Sequence, residues 1–395
     1  MLLTLSFSKE YFAFLQLKNQ GLHKARAVVS SVYEKTSKNN KSYLIYKLKT
    51  DHFSLYTVSW KMRKIAVHTP VIVEFSAEKI SFYEYMHGFF ANNTQLKMLE
   101  ETPQDPLRTF VKNQHESIVM QELFGALFFA EPTSKTLKIK INQWGISHLV
   151  AISGFHLGLL SVLLFFVLKP VYVYFQDRYF PYRHASADLA FIVLLLLGAF
   201  VYYIGAIPSV LRAFSMSVLG FIIISSHVKI FSLTNLFLSA SIVLIFVPQM
   251  LFSIGFLFSI MGVFYIFLFF EHFKKLAKWQ IFLLINVWVY ILMLPVVHAV
   301  FEMFTFFQPF SIVLSMLFTV FYPLSMLAHL FGIGGVIDGY LYAFLNMPME
   351  IFSLHVSAYG LIFYLCCSLF AIRYKSAALL LPLISLALLF VENVA

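Results

Sequence analysis

The chain is poor in cysteine and in charge. Its 395 residues include two cysteines, the adjacent pair Cys366 and Cys367 inside an apolar run. Neighbours of that kind build neither a disulfide framework nor a tetrahedral zinc site. Charged residues make up 12% of the chain, while 60% are hydrophobic and 46 are phenylalanine. Soluble domains carry roughly 25% charged residues, and a water-soluble fold of this length could not enclose so much apolar surface. A soluble globular protein is excluded. No glycine-rich phosphate loop is present, so the chain is not itself an ATP-driven motor. HESIV at 115–119 lacks the second histidine of a zinc helix, and no HxHxDH-type cluster occurs. Nothing in the sequence calls for a metal or a cofactor.

Long apolar runs take the place of the missing charge, and their length points to helices rather than barrel strands. Candidate spans are 148–168, 188–207, 210–226, 231–247, 251–270, 279–300, 308–331, 356–372 and 377–392, with 338–353 as a further crossing. The total is about eight to ten passes. Residues 1–150 hold 19 basic and 12 acidic side chains, and residues 151–395 hold 10 and 7. The net charge of +10 suits an anionic partner such as nucleic acid or lipid headgroups. It suits the basic cytoplasmic loops of a membrane protein equally well.

Four stretches divide the chain. Residues 1–21 are apolar but interrupted by Lys9, Glu10 and Lys18, as in an interfacial amphipathic helix or a partial leader. Residues 22–80 read as strands, because KARAVVSSVY, KSYLIYKLKT, HFSLYTVSW and TPVIVEFSA cluster β-branched and aromatic residues between polar turns. That pattern fits a small barrel of the OB type, and a plain hairpin sheet would read the same. Residues 81–146 are connecting amphipathic segments, and the apolar run at 117–130 is too short to cross, so it lies in or dips into the membrane. Residues 147–395 form the membrane domain. The fold class is a polytopic α-helical membrane protein with a small N-terminal, OB-like β domain. Lys169, Arg178 and Arg183, then Lys229, then Lys274, Lys275 and Lys278 fall in alternate loops, whereas the loops near 206–209, 248–250 and 301–308 have no Lys or Arg. The basic loops belong in the cytoplasm and the β domain then faces outward. Arg373 and Lys375 join the cytoplasmic set when 338–353 crosses.

The most unusual stretch is GISHLVAISGFHLGLLS, 145–161. On a single helix, Ser147, Ala151, Gly154, Gly158 and Ser161 share one stripe, a small-residue seam with Gly154 and Gly158 at the closest approach to another helix. His156 points away from the seam, with His148 and Ser153 on either side. These polar groups either line a pathway or bond to neighbouring helices. Ser153 and His156 could imitate a serine hydrolase, but three residues apart on one helix they rarely align base with nucleophile. In IGAIPSVLRAFSMS, Pro208 and Ser209 suit a helix start, with Ser209 as cap. Arg212 then sits one turn inside the membrane. It snorkels to the interface, guides an anion or phosphate, or pairs with Glu302. His298 and Glu302, four apart, share a helix face as a proton-handling or hydrogen-bonded pair. His329, Asp338, Glu350 and His355 look scattered and receive no role.

These stretches together resemble the ComEC-type competence channel family of bacteria. A GxxHLLAxSGLHxG-like motif is matched by Gly145, His148, Leu149, Ala151, Ser153, Gly154, His156 and Gly158. A PSxxRA element is matched by Pro208, Ser209, Arg212 and Ala213, and a looser element by Pro248, Gly255, Phe256 and Ser259. ALFFAEPTS is similar too, with Ala130 where glycine is expected and Glu131 where aspartate is. The resemblance implies an inner-membrane channel that passes single-stranded DNA into the cytoplasm during natural transformation, with no catalytic residue. It implies membrane lipid around the helices, an external DNA receptor, a cytoplasmic motor and a separate nuclease, and a homo-oligomer is one way to enclose the path. The OB-like domain would receive the strand through Trp60, Lys61, Arg63 and Lys64 and the aromatics Tyr43, Tyr46, Phe53 and Tyr56. Many members carry spans before that domain, whereas Met1 stands almost at it. Many also end in a metallo-β-lactamase-like domain, whereas this sequence stops at Ala395 after its last span. Two other readings stay open: a secondary transporter of a small anionic solute bound at Arg212, and an intramembrane hydrolase using Ser153.

Overall fold

The computed structural model describes residues 2–19, 22–36, 42–50, 53–59, 65, 69–91, 93–98, 105–205, 208–223 and 233–394. Trp60, Lys61, Arg63, Lys64 and Lys229 lie outside the described residues, as do the side chains of Pro208 and Ser209. Two compact units form, Met1–Thr109 with Ser241–Ser253, and Phe110–Ala240 with Ile254–Ala395.

The first unit holds α1 (Leu2–Asn19), β1 (Leu22–Thr36), β2 (Ser42–Lys49), β3 (Ser54–Ser59), β4 (Pro70–Ser76), α2 (Phe82–His87), β5 (Phe89–Phe90) and β6 (Asn93–Met98). The strand order is β5-β3-β2-β1-β4-β6, antiparallel except for the β3–β5 pair. Period-two placement puts Val29, Leu48, Leu55, Val71, Val73 and Phe75 on one fully buried face. Phe14 of α1 and Tyr85 of α2 pack into the same core, so α1 is a helix seated on the sheet. The Ser81 hydroxyl accepts the Glu84 N–H at 3.2 Å and the Glu84 carboxylate accepts the Ser81 N–H at 2.8 Å, a capping box that starts α2. Those bonds from Ser81 hold the Glu84 carboxyl below the usual carboxylate range. The N-terminal β domain expected from sequence is present. Among the described residues the end strands β5 and β6 do not pair with each other, so the expected barrel closure is not formed by them.

Next come α3 (Pro106–Lys112), α4 (Ile118–Phe129), α5 (Lys135–Gln143), α6 (Ser147–Val150), α7 (Gly154–Tyr179), α8 (Ala185–Tyr203), α9 (Pro208–Ile223), α10 (Leu233–Phe246), α11 (Ile254–His272), α12 (Lys278–His298), β7 (Met303–Phe304), α13 (Ser311–Leu330), α14 (Asp338–Leu345), β8 (Phe352–Ser353), α15 (Ala358–Arg373) and α16 (Lys375–Val394). Among the described residues six helices are long and apolar enough to cross a membrane, and α4, α9, α10 and α15 are shorter apolar ones. This is the make-up of a multi-pass membrane protein. The run at 117–130 becomes α4, whose Met120, Phe124 and Phe128 are enclosed by side chains of α13 and α14. Most of its side chains are buried against other helices.

The chain turns out of α4 through a glycine-type cap built on an alanine. Ala130 N–H donates to the Ala126 carbonyl and Glu131 N–H to the Gly125 carbonyl, both at 3.1 Å. That pattern places the residue after the helix in the left-handed region, and Ala130 has φ +56°. Glycine, the residue expected there from the family motif, takes this conformation without a Cβ penalty. Ala130→Gly should therefore raise the thermal unfolding midpoint in detergent, by the equivalent of about 1 kcal/mol. An unchanged midpoint would mean that the turn has relaxed around its Cβ.

The segment 338–353 returns over the length of α13 without a long helix. β8 pairs antiparallel with β7, Met303 opposite Ser353, and β7 lies just before α13. α13 has 20 residues, a length of about 30 Å. The chain between Phe331 and Ile351 therefore covers that distance in reverse, using a single 3-10 turn at Gly334–Ile337, the eight-residue α14 and irregular backbone. Broken backbone of this kind needs partners from protein. Gln114 accepts the Gly334 N–H at 2.8 Å, and the Trp144 indole donates to the Phe344 carbonyl at 3.2 Å.

Candidate functional site

The expected continuous helix over 145–161 is interrupted. α6 ends at Val150, Ser153 is extended at φ −135° and ψ 178°, and α7 begins at Gly154. Ser153 N–H donates to His156 Nδ1 at 3.2 Å and the Ser153 hydroxyl accepts the Phe155 N–H at 3.3 Å. Serine competes for backbone partners and so caps rather than continues a helix. Ser147, Ala151, Gly154, Gly158 and Ser161 are thus not one stripe on one helix. Of the two seam glycines, Gly154 is at a close approach: a Cβ there would sit 3.0 Å from Ala213 Cβ and 3.5 Å from Arg212 Nη2. Among the described residues Gly158 has nothing within 4 Å of that position, and none of them forms a seam with it.

The break also brings Ser153 Oγ to 3.1 Å from His156 Nδ1, closer than expected for two residues on one helix. The helix cap accounts for the contact, in which the Ser153 N–H also donates to the same ring nitrogen. His156 is buried, edge-on to Phe318 and Tyr322 of α13 with centroids 5.2 and 4.8 Å away. His148 is exposed and reaches the Gly145 carbonyl and the Ser315 hydroxyl, each at 3.0 Å.

α9 starts at Pro208 as expected, with Ser209 inside its first turn rather than as its cap. Arg212 on α9 is 3% exposed, so its side chain does not snorkel out of the protein. Its Nε donates to Ser259 Oγ of α11 at 2.9 Å, and Nη1 lies 3.0 Å from Met216 Sδ. The expected pairing with Glu302 is not made, because Glu302 is exposed and lies 3.5 Å from His355 Nδ1. Among the described residues no carboxylate pairs with Arg212. Three sequence elements thus meet at one place: the start of α7 at Gly154, Arg212, and Ser259. Ser259 was visible as a motif residue but not as a partner of Arg212.

His298 and Glu302 do not share a helix face. α12 ends at His298, whose Nδ1 lies 3.0 Å from the Phe301 carbonyl, and Glu302 follows in the loop whose carbonyl accepts the Leu354 N–H at 2.7 Å.

A second cluster was not found from sequence. His115, His329 and Asp338 come together in a line: His115 Nδ1 is 2.9 Å from Asp338 Oδ2, and His115 Nε2 is 2.9 Å from His329 Nε2. No local spacing signals it, since the partners are more than 200 residues apart. Among the described residues no group of His, Cys, Asp and Glu is arranged to hold a metal ion.

Fold and site together define a multi-pass membrane protein with a β-sheet unit and a buried arginine held between its helices. A competence-protein family profile matches residues 130–392, about two thirds of the sequence, and the chain belongs to that family. It is similar to ComE operon protein 3 of Bacillus subtilis (strain 168), 34% identical over 141 residues. That stretch is 35% of this chain and 16% of the relative, so the match spans a small part of the relative's length. No solved structure matches the chain.

Proposed function

We propose that the chain is an inner-membrane channel that passes single-stranded DNA into the cytoplasm during natural transformation. The observation that carries this reading is the family match over residues 130–392, which takes in Ser153, Gly154, His156, Arg212 and Ser259. Two physical features support it. Arg212 is a buried cation bonded to a hydroxyl and a thioether, a group suited to meeting a phosphate. On the sheet face away from the core, Lys24, Arg26, Lys47 and Lys97 carry positive charge, and Lys24 is shared with Glu74 at 3.3 Å. Tyr56 and the exposed Phe90 stack there with centroids 5.3 Å apart, and Lys47 Nζ lies 5.5 Å from the Tyr56 ring. Rings beside cations are what a single strand stacks on and tracks along.

In this reading the basic loops are cytoplasmic and the β unit faces outward, where an external receptor hands over the strand. A cytoplasmic motor draws it in, a separate nuclease degrades its complement, and the chain itself is not an enzyme. A homo-oligomer completes the wall where one chain does not enclose the path. The test is uptake of fluorescent DNA in a strain lacking this protein, scoring arrival outside the inner membrane and in the cytoplasm separately. DNA that accumulates outside and never enters is the expected result. Normal entry would sink the channel reading, and uptake assays with small anions would then decide the transporter reading, which the same buried Arg212 favours.

A further inference from the structure

Asp338, His115 and His329 form a line of hydrogen bonds to which the proposed function has so far given no part. His115 Nδ1 lies 2.9 and 3.0 Å from the two Asp338 oxygens, His115 Nε2 lies 2.9 Å from His329 Nε2, and His329 Nδ1 lies 2.7 Å from the Ser325 carbonyl. Both histidines are 3% exposed. The ionised carboxylate and the carbonyl only accept, so the three links of this line need three protons. Two neutral imidazoles bring two. The third makes the imidazole pair jointly cationic against the Asp338 carboxylate, or sits on Asp338 with both rings neutral. One concerted hop along the line converts the first arrangement into the second at constant net charge. Removing one proton turns one link into two facing lone pairs in a buried place, which such a site resists.

The line joins elements that are distant in sequence. His115 precedes α4, His329 ends α13, and Asp338 opens α14. Gly334 and Gly335 permit the approach: a Cβ on Gly334 would overlap the His329 ring, and one on Gly335 would overlap the Gln114 carbonyl oxygen. Gln114 closes the same junction, donating to the His329 carbonyl at 2.9 Å. The walls are apolar. Phe124 stacks on His115 with centroids 4.4 Å apart, and Phe128 meets His329 edge-on. The titratable groups on the surrounding elements are engaged or exposed. Lys112 of α3 pairs with Glu131 at 2.6 Å, Glu122 of α4 accepts the Ser134 N–H, and Glu116 is exposed. Tyr322 of α13 faces His156 and Phe128, while Tyr340 and Tyr342 of α14 are exposed.

We propose that Asp338, His115 and His329 are a proton-binding relay at the turning point of the return segment, and that its proton occupancy controls passage through the membrane unit. The control half rests on the channel reading; the proton site does not. The experiment is 15N NMR of histidine-labelled full-length protein in lipid nanodiscs across about pH 5–8, with His115→Gln and His329→Gln assigning the signals. DNA entry into cells is measured against external pH in parallel. The two imidazoles should titrate as one coupled step. Asp338→Asn should move that step down by about one pH unit or more, because the carboxylate holds the extra proton, and should flatten the pH dependence of DNA entry. Ring nitrogens whose signals show neither protonation nor tautomer change across the range, or an Asp338→Asn titration identical to wild type, would overturn the relay. If Asp338→Asn does not assemble, the wild-type titration decides. A coupled step with DNA entry that ignores pH overturns the control. A coupled step in a protein whose loss leaves DNA entry intact removes the channel reading and keeps the proton site.

Discussion

In the proposed channel, Arg212→Met should lower DNA entry by about 10- to 100-fold while leaving the protein folded and at its normal level. The guanidinium is 3% exposed, and its partners are a serine hydroxyl and a methionine sulfur. Holding a charge in such a place costs several kcal/mol when no carboxylate offsets it. Methionine fills similar volume without that cost, so the thermal midpoint in detergent should stay level or rise. Function should move the other way. A charge-assisted hydrogen bond to a passing phosphate is worth about 1.5–3 kcal/mol, so its loss lowers entry by about 10- to 100-fold. Arg212→Lys keeps the charge but loses the planar fork, and should fall between. Transformation frequency and protein level, measured side by side, check this. Loss of the protein would make Arg212 a structural residue bonded to Ser259. Normal entry would remove it from the path.

Gly154→Leu should prevent assembly of the α7–α9 pair, and Gly158→Leu should not. The Gly154 position lies 3.0 Å from Ala213 Cβ, tighter than ordinary contact, whereas Gly158 has no described residue within 4 Å. Forcing a leucine into the first site costs about 1–3 kcal/mol or more through overpacking, and it pushes directly against Arg212. At Gly158 the change trades a poor helix former for a good one, a gain of about 0.8–1 kcal/mol in a helix interior. Size-exclusion profiles and melting of the two purified variants give the comparison. Equal tolerance at both positions would contradict the close approach at Gly154. A Gly158→Leu protein that melts normally but cannot import DNA would place a second copy of the chain on that face.

The difference between these two glycines shows where sequence reading stops. Both sit four apart in one motif, and both fit a small-residue stripe if the helix is continuous. Ser153 interrupts that helix, and the pattern Ser-x-x-His after an apolar residue was its signal, a capping box with histidine in the place of glutamate. Ala130 is the opposite case. The motif marked a missing glycine, and the backbone has the left-handed angle that glycine serves.

Composition and periodicity by themselves determined that the chain is a multi-pass helical membrane protein with a β domain ahead of it, because apolar run length and period-two alternation are local properties of the chain. The motif residues were likewise readable in order along the sequence, and they sufficed for the family. Tertiary structure alone decided that Arg212 meets Ser259 and not Glu302, and that 331–351 retraces α13 without a long helix. It alone assembled Asp338, His115 and His329 into one line. Those outcomes depend on which helices pack together and how closely their backbones approach, at positions such as Gly154, Gly334 and Gly335. Neither quantity is carried by local hydropathy or spacing.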